Sequence, residues 1–92
     1  MTPQQLKDNA YNEALNAFIE RHGECQATRD EAYERCDKIV TLARFCFDMA
    51  CVFTTTAEAR DNATDAACTM ANATPEEAYL IGSVVAVEAE GK

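Results

Sequence analysis

Tryptophan is missing from these 92 residues, histidine occurs once, and only three glycines and two prolines interrupt the chain. Each shortage excludes something. A single histidine leaves the commonest general base and the commonest zinc-binding nitrogen almost unrepresented. Three scattered glycines provide no loop to cradle a phosphate, and no serine stands near His22 in sequence. Positive charge is scarce too: eight Lys and Arg face sixteen Asp and Glu, a formal charge of −8. Such a chain repels nucleic-acid backbone, so direct DNA or RNA binding is not expected, whereas basic protein surfaces are its natural partners. Long apolar runs are lacking as well. The best stretch, residues 39–53, is broken by Arg44 and Asp48 and is shorter than the roughly 20 residues a bilayer requires. The N-terminus does not follow the basic-then-apolar order of a signal peptide. A cytoplasmic protein with no membrane partner is the resulting expectation.

What is present is apolar mass, 48 % of the residues, much of it alanine, which packs closely but buries little area. At roughly 25 cal/mol per Å² of buried apolar surface, one domain over residues 1–92 holds a thin margin over chain entropy. Size alone therefore leaves association with a copy or a partner open.

One local signal recurs four times. Thr2-Pro-Gln-Gln5, Thr28-Arg-Asp-Glu31, Thr55-Thr-Ala-Glu58 and Thr74-Pro-Glu-Glu77 each place threonine three residues before Glu or Gln. In this capping box the hydroxyl accepts from an orphan amide of the first turn, and the longer side chain reaches back to the cap. Pro3 and Pro75 stand at the first helical position, where the missing N–H costs nothing. The spacing predicts an all-α fold, a compact bundle of four helices at about 3–22, 29–53, 57–72 and 75–89. One continuous helix across Thr54–Thr56 is the alternative for the second and third. Residues 80–87 are rich in valine and read alternatively as a strand, but the cap and proline favour helix.

The second helix carries two apolar faces. Tyr33, Cys36, Val40, Ala43, Phe47, Ala50 and Cys51 form one, extended along a flank by Ala32, Ile39, Cys46 and Phe53. Leu42, Phe45, Met49 and Val52 follow 3-4-3 spacing on nearly the opposite side. This seam is a candidate partner-binding surface, because Phe, Met, Leu and Val left over after packing have the composition of an interface. The third helix is alanine-rich and bears Glu58, Asp61 and Asp65 on one side, an acidic stripe that Glu76 and Glu77 extend in sequence. Carboxylates about 5–6 Å apart on a helix resemble a nucleic-acid strand, so the stripe is the second candidate partner-binding surface. The plainer reading of the stripe is a solvated face that keeps the protein soluble.

Five cysteines invite a metal or redox reading, yet no pair has C-x-x-C spacing. Zinc would need His22 and Cys25 joined by Cys36 or Cys68. The expectation is instead that the thiols are reduced and behave as small hydrophobes, with Cys25 the most exposed and reactive. A Cys25–His22 dyad can be written down, but no cofactor or catalytic motif supports an enzyme. Asp61-Asn62-Ala63-Thr64-Asp65 alternates oxygen ligands but lacks the turn glycine and terminal Glu of a calcium loop.

The function expected is protein–protein interaction: an inhibitor or adaptor that binds a basic, nucleic-acid-binding surface of a larger protein. Small acidic single-domain proteins are common among phage-encoded inhibitors, anti-CRISPR proteins included, a likeness of type that no motif in this chain carries. The competing expectation is a homodimer or complex subunit completed through the Leu42–Val52 seam.

Overall fold

Three of the four threonine caps form as expected. In the computed structural model, which describes residues 2–91, Thr2 and Gln5 make a complete capping box at the start of α1 (Pro3–His22). Thr55 accepts from the Glu58 amide at the start of α3 (Thr56–Ala71). Thr74 and Glu77 make a second complete box at the start of α4 (Pro75–Glu90).

Thr28 is the exception. The second helix, α2 (Gln26–Phe53), begins earlier than its capping signal, with Cys25 in the cap position. Thr28 lies inside the first turn, buried, with its hydroxyl 3.2 Å from the Cys25 sulfur. Gly23, in the left-handed region at φ 93°, ends α1, and helix-favouring Gln26 and Ala27 let α2 start at once.

The run Thr54–Thr56 does separate α2 from α3. Thr54 is extended and closes α2 through its amide to the Ala50 carbonyl, and Thr55 caps α3. One continuous helix is thereby excluded. Residues 80–87 are helical, not a strand.

Cross-links fix the helix directions. Arg35 in α2 reaches the Ala71 carbonyl at the end of α3, so α2 and α3 form an antiparallel hairpin. Arg35 also pairs with Glu77 at the start of α4, and Arg44 pairs with Glu88 near its end, which makes α2 and α4 parallel. Arg21, at the end of α1, pairs with Glu76 and sets α1 antiparallel to α4.

Helices α2 and α4 touch each other and both remaining helices, whereas α1 and α3 do not meet among the described residues. The section is therefore a flattened diamond with α2 and α4 on its short diagonal. The Cα trace spans 43 × 28 × 17 Å. α2 alone, at 1.5 Å per residue, supplies a long dimension of about 42 Å.

Phe47, Ile39 and Cys36 of α2 meet Leu80, Ile81, Val84 and Val85 of α4 as the bulkiest fully buried side chains. Ala10, Ala14 and Leu15 seal one side and Ala59, Ala63 and Ala67 the other. The alanine-rich helices can approach closely but contribute little area. This division leaves large side chains elsewhere uncovered.

Candidate protein-interaction site

At 100° per residue, Cys36, Ala43 and Phe47 point toward the core, and Leu42, Phe45, Met49 and Val52 fall within an arc of roughly 80° on the other side of α2. The structure bears out that geometry in exposure: Phe45 is 57 % exposed, Met49 46 % and Val52 72 %. Leu42 is half-buried. Phe53, assigned from its spacing to the flank of the core face, is instead 80 % exposed and extends the outer face at its C-terminal end. Its position in the last turn carries it beyond the residues that would cover it. Leu42 packs partly against the core, and among the described residues no other helix covers Phe45, Met49 and Val52.

The acidic stripe divides. Glu58, Asp61 and Asp65 fall within an arc of roughly 60° on α3, opposite the buried Ala59, Ala63 and Ala67, and all three are exposed. Glu58 receives a hydrogen bond from the Thr54 hydroxyl.

Glu77, expected to extend the stripe, does not. It is 5 % exposed, and its two oxygens accept from Arg35 at 2.9 and 3.0 Å while one also accepts from the Thr74 amide at 3.1 Å. Burial alone would raise the Glu77 carboxyl; the Arg35 hydrogen bonds, the Thr74 amide and the Arg35 charge together bring it below the ordinary carboxylate value. Glu76 is half-buried and paired with Arg21 at 3.4 Å. The carboxylates brought together outside are thus Glu58, Asp61 and Asp65, on the same helical hairpin as the apolar seam and, like it, turned away from the core.

Charges around the seam are unequally committed. Lys38 pairs with Glu34 at 3.2 Å and Arg44 with Glu88 at 2.9 Å. Asp48, Asp61 and Asp65 make no ion pair among the described residues. Lys38 and Arg44 are thus used internally and these carboxylates are not.

The cysteines do not assemble. Cys36 and Cys46 are buried, Cys51 and Cys68 half-buried and Cys25 exposed, all as free thiols. His22 stacks on Phe18 with ring centroids 4.3 Å apart. Among the described residues, no group of three or more His, Cys, Asp or Glu is placed to hold a metal ion. No helix among them is long and apolar enough to cross a membrane. Burial pushes the Cys36 thiol up to about 11. Cys25 lies below the usual thiol value, chiefly because of the Thr28 hydroxyl.

Spacing alone does not single out Glu34 and Asp37. Both are exposed and line, with Lys38, Thr41, Leu42 and Phe45, a shallow depression of about 530 Å³ on α2. They lie one to three turns before Leu42 and Phe45 on the same side of α2, and only the assembled surface brings them together with that apolar pair. Comparison with protein-family models, curated proteins and solved structures finds no match to this chain.

Proposed function

We propose that this chain is a small acidic protein-interaction module that docks through the outer face of α2. Its partner presents an apolar contact surface bordered by lysine and arginine. The observation that carries the reading is the row Phe45, Met49, Val52 and Phe53, large apolar side chains exposed side by side on one helix face.

Charge supports a basic partner over a second copy. The carboxylates Asp48, Asp61 and Asp65 are free of ion pairs among the described residues, and two chains of formal charge −8 repel each other on approach. A nucleic-acid-binding groove is a basic surface of this kind. Blocking one, as phage-type inhibitors such as anti-CRISPR proteins do, is the concrete case; bridging two proteins as an adaptor is the other form.

Size-exclusion with light scattering is expected to give a monomer, and a stable wild-type dimer would overturn the reading. In capture experiments from the native host, wild type should retain a partner that Phe45→Glu loses and that raised salt releases. Equal retention by Phe45→Glu would remove α2 from the interface. Undiminished retention by Asp61→Asn/Asp65→Asn would remove the acidic stripe.

A further inference from the structure

The outer face of α2 changes character along its length. Glu31, Glu34 and Asp37 are exposed in its first half, and Phe45, Met49, Val52 and Phe53 in its second. The depression lined by Glu34, Asp37, Lys38, Thr41, Leu42 and Phe45 lies at the junction. Lys38 engages one oxygen of Glu34, and the Tyr11 hydroxyl donates to one oxygen of Asp37 at 2.7 Å. Neither contact uses the second carboxylate oxygen.

We infer that the partner element seated here is an amphipathic helix, basic at one end and apolar at the other. Its apolar residues cover Phe45, Met49 and Val52. An arginine occupies the depression, with its stem against Leu42 and Phe45 and its guanidinium on Glu34 and Asp37. This inference rests on the reading of α2 as a docking face and specifies what docks.

Three physical points carry it. From Leu42 to Val52 the seam is about 15 Å long and one helix face wide, the shape that another helix covers with residues at i, i+3, i+4 and i+7. Arginine combines an apolar stem, affinity for an aromatic face and a planar fork that matches carboxylates. A second copy of α2 fits poorly: laid parallel it opposes carboxylate to carboxylate, and antiparallel it sets its apolar half on Glu34 and Asp37.

The test uses the isotope-labelled 92-residue chain and a synthetic helix of about 18 residues, enough to span the roughly 27 Å from Glu34 to Val52. Arginines are grouped at one end and leucines at 3-4 spacing toward the other; a second peptide replaces each arginine with uncharged citrulline. Saturable amide shifts should run from Glu34 to Val52. Citrulline, or the variant Glu34→Gln/Asp37→Asn, should weaken binding about three- to tenfold, and Phe45→Glu should abolish it. Equal binding by the citrulline peptide and by the double variant, with Phe45→Glu still inactive, would overturn the inference and leave the docking face standing. Shifts confined to other helices, or binding undiminished by Phe45→Glu, would overturn both.

Discussion

The Glu77 carboxylate serves its own helix and two others at once. It closes the capping box of α4 through the Thr74 amide and, through Arg35, ties α4 to α2 and to the Ala71 carbonyl at the end of α3. Removing it leaves Arg35 without its anion and the α4 cap half made. Glu77→Ala should therefore cost about 2–3 kcal/mol in chemical denaturation, below the full value of a buried pair because Arg35 retains contact with solvent. The pH dependence follows in sign. A carboxyl lowered in the folded state stabilises above its unfolded pKa and loses that contribution as pH falls through the folded value. Wild type should thus lose stability progressively below about pH 4.5, the ordinary value from which Glu77 is depressed, and Glu77→Gln should flatten that part of the profile. The Thr74-x-x-Glu77 spacing made the local half of this role legible in the sequence. Arg35, 42 residues away, was not legible, because nothing local distinguishes a glutamate about to be buried from one left in water. Cys25 is the converse case. Its place in a short link between helices suggested exposure, and the nearby Thr28 hydroxyl adds a lowered thiol pKa. In timed alkylation with mass spectrometry Cys25 should be modified first and Cys36 last, and Thr28→Val should slow Cys25. Modification of Cys36 ahead of Cys25 would contradict the packing of α2 on α4.

At the scale of elements, capping chemistry was readable wherever its partners lie within one turn. Thr2, Thr55 and Thr74 cap as their spacing demands. Thr28 fails because Gln26 and Ala27 extend the helix past it, leaving its side chain buried in the first turn with its hydroxyl on the Cys25 sulfur. That α2 has two apolar faces was readable from spacing, but local sequence did not fix which of them the other helices enclose. Both faces are apolar in its second half, and the choice depends on where α4 and α3 lie, a tertiary fact. Gly82 shows the same limit. Among Ile81, Ser83 and Val84 it suggests a close helix–helix approach, yet a Cβ built there meets nothing within 4 Å. It sits at a shallow trough on the outer side of α4, beside Leu6 and Tyr79. With no steric role, this glycine only costs helix entropy. Gly82→Ala should raise stability by about 0.5–1 kcal/mol in denaturant titration. A destabilised variant would mean that another backbone occupies the trough in solution.

At the scale of the molecule, the division of apolar mass decides which face of α2 is enclosed. Four helices with alanine on α1 and α3 can enclose one face of α2, around Phe47, Ile39 and Cys36. They cannot enclose the other. Phe45 and Phe47 are the same residue type two positions apart on one helix, so the pair isolates environment from chemistry. Phe47→Ala deletes a fully buried ring and should cost about 3–5 kcal/mol. Phe45→Ser alters an exposed side chain and should change stability by less than about 0.5 kcal/mol if the monomer is the folded unit. An obligate dimer closed over Phe45 would behave otherwise: the serine variant would lose stability as heavily as a core variant, and the wild-type Tm would climb with protein concentration. Melting both variants and the wild type across a hundredfold range of concentration therefore separates a free docking face from half of a shared core. For a free face, the expected outcome is a wild-type Tm independent of concentration, a low Tm for Phe47→Ala and a near-wild-type Tm for Phe45→Ser. The exposed row on α2 then belongs to a partner other than a second copy.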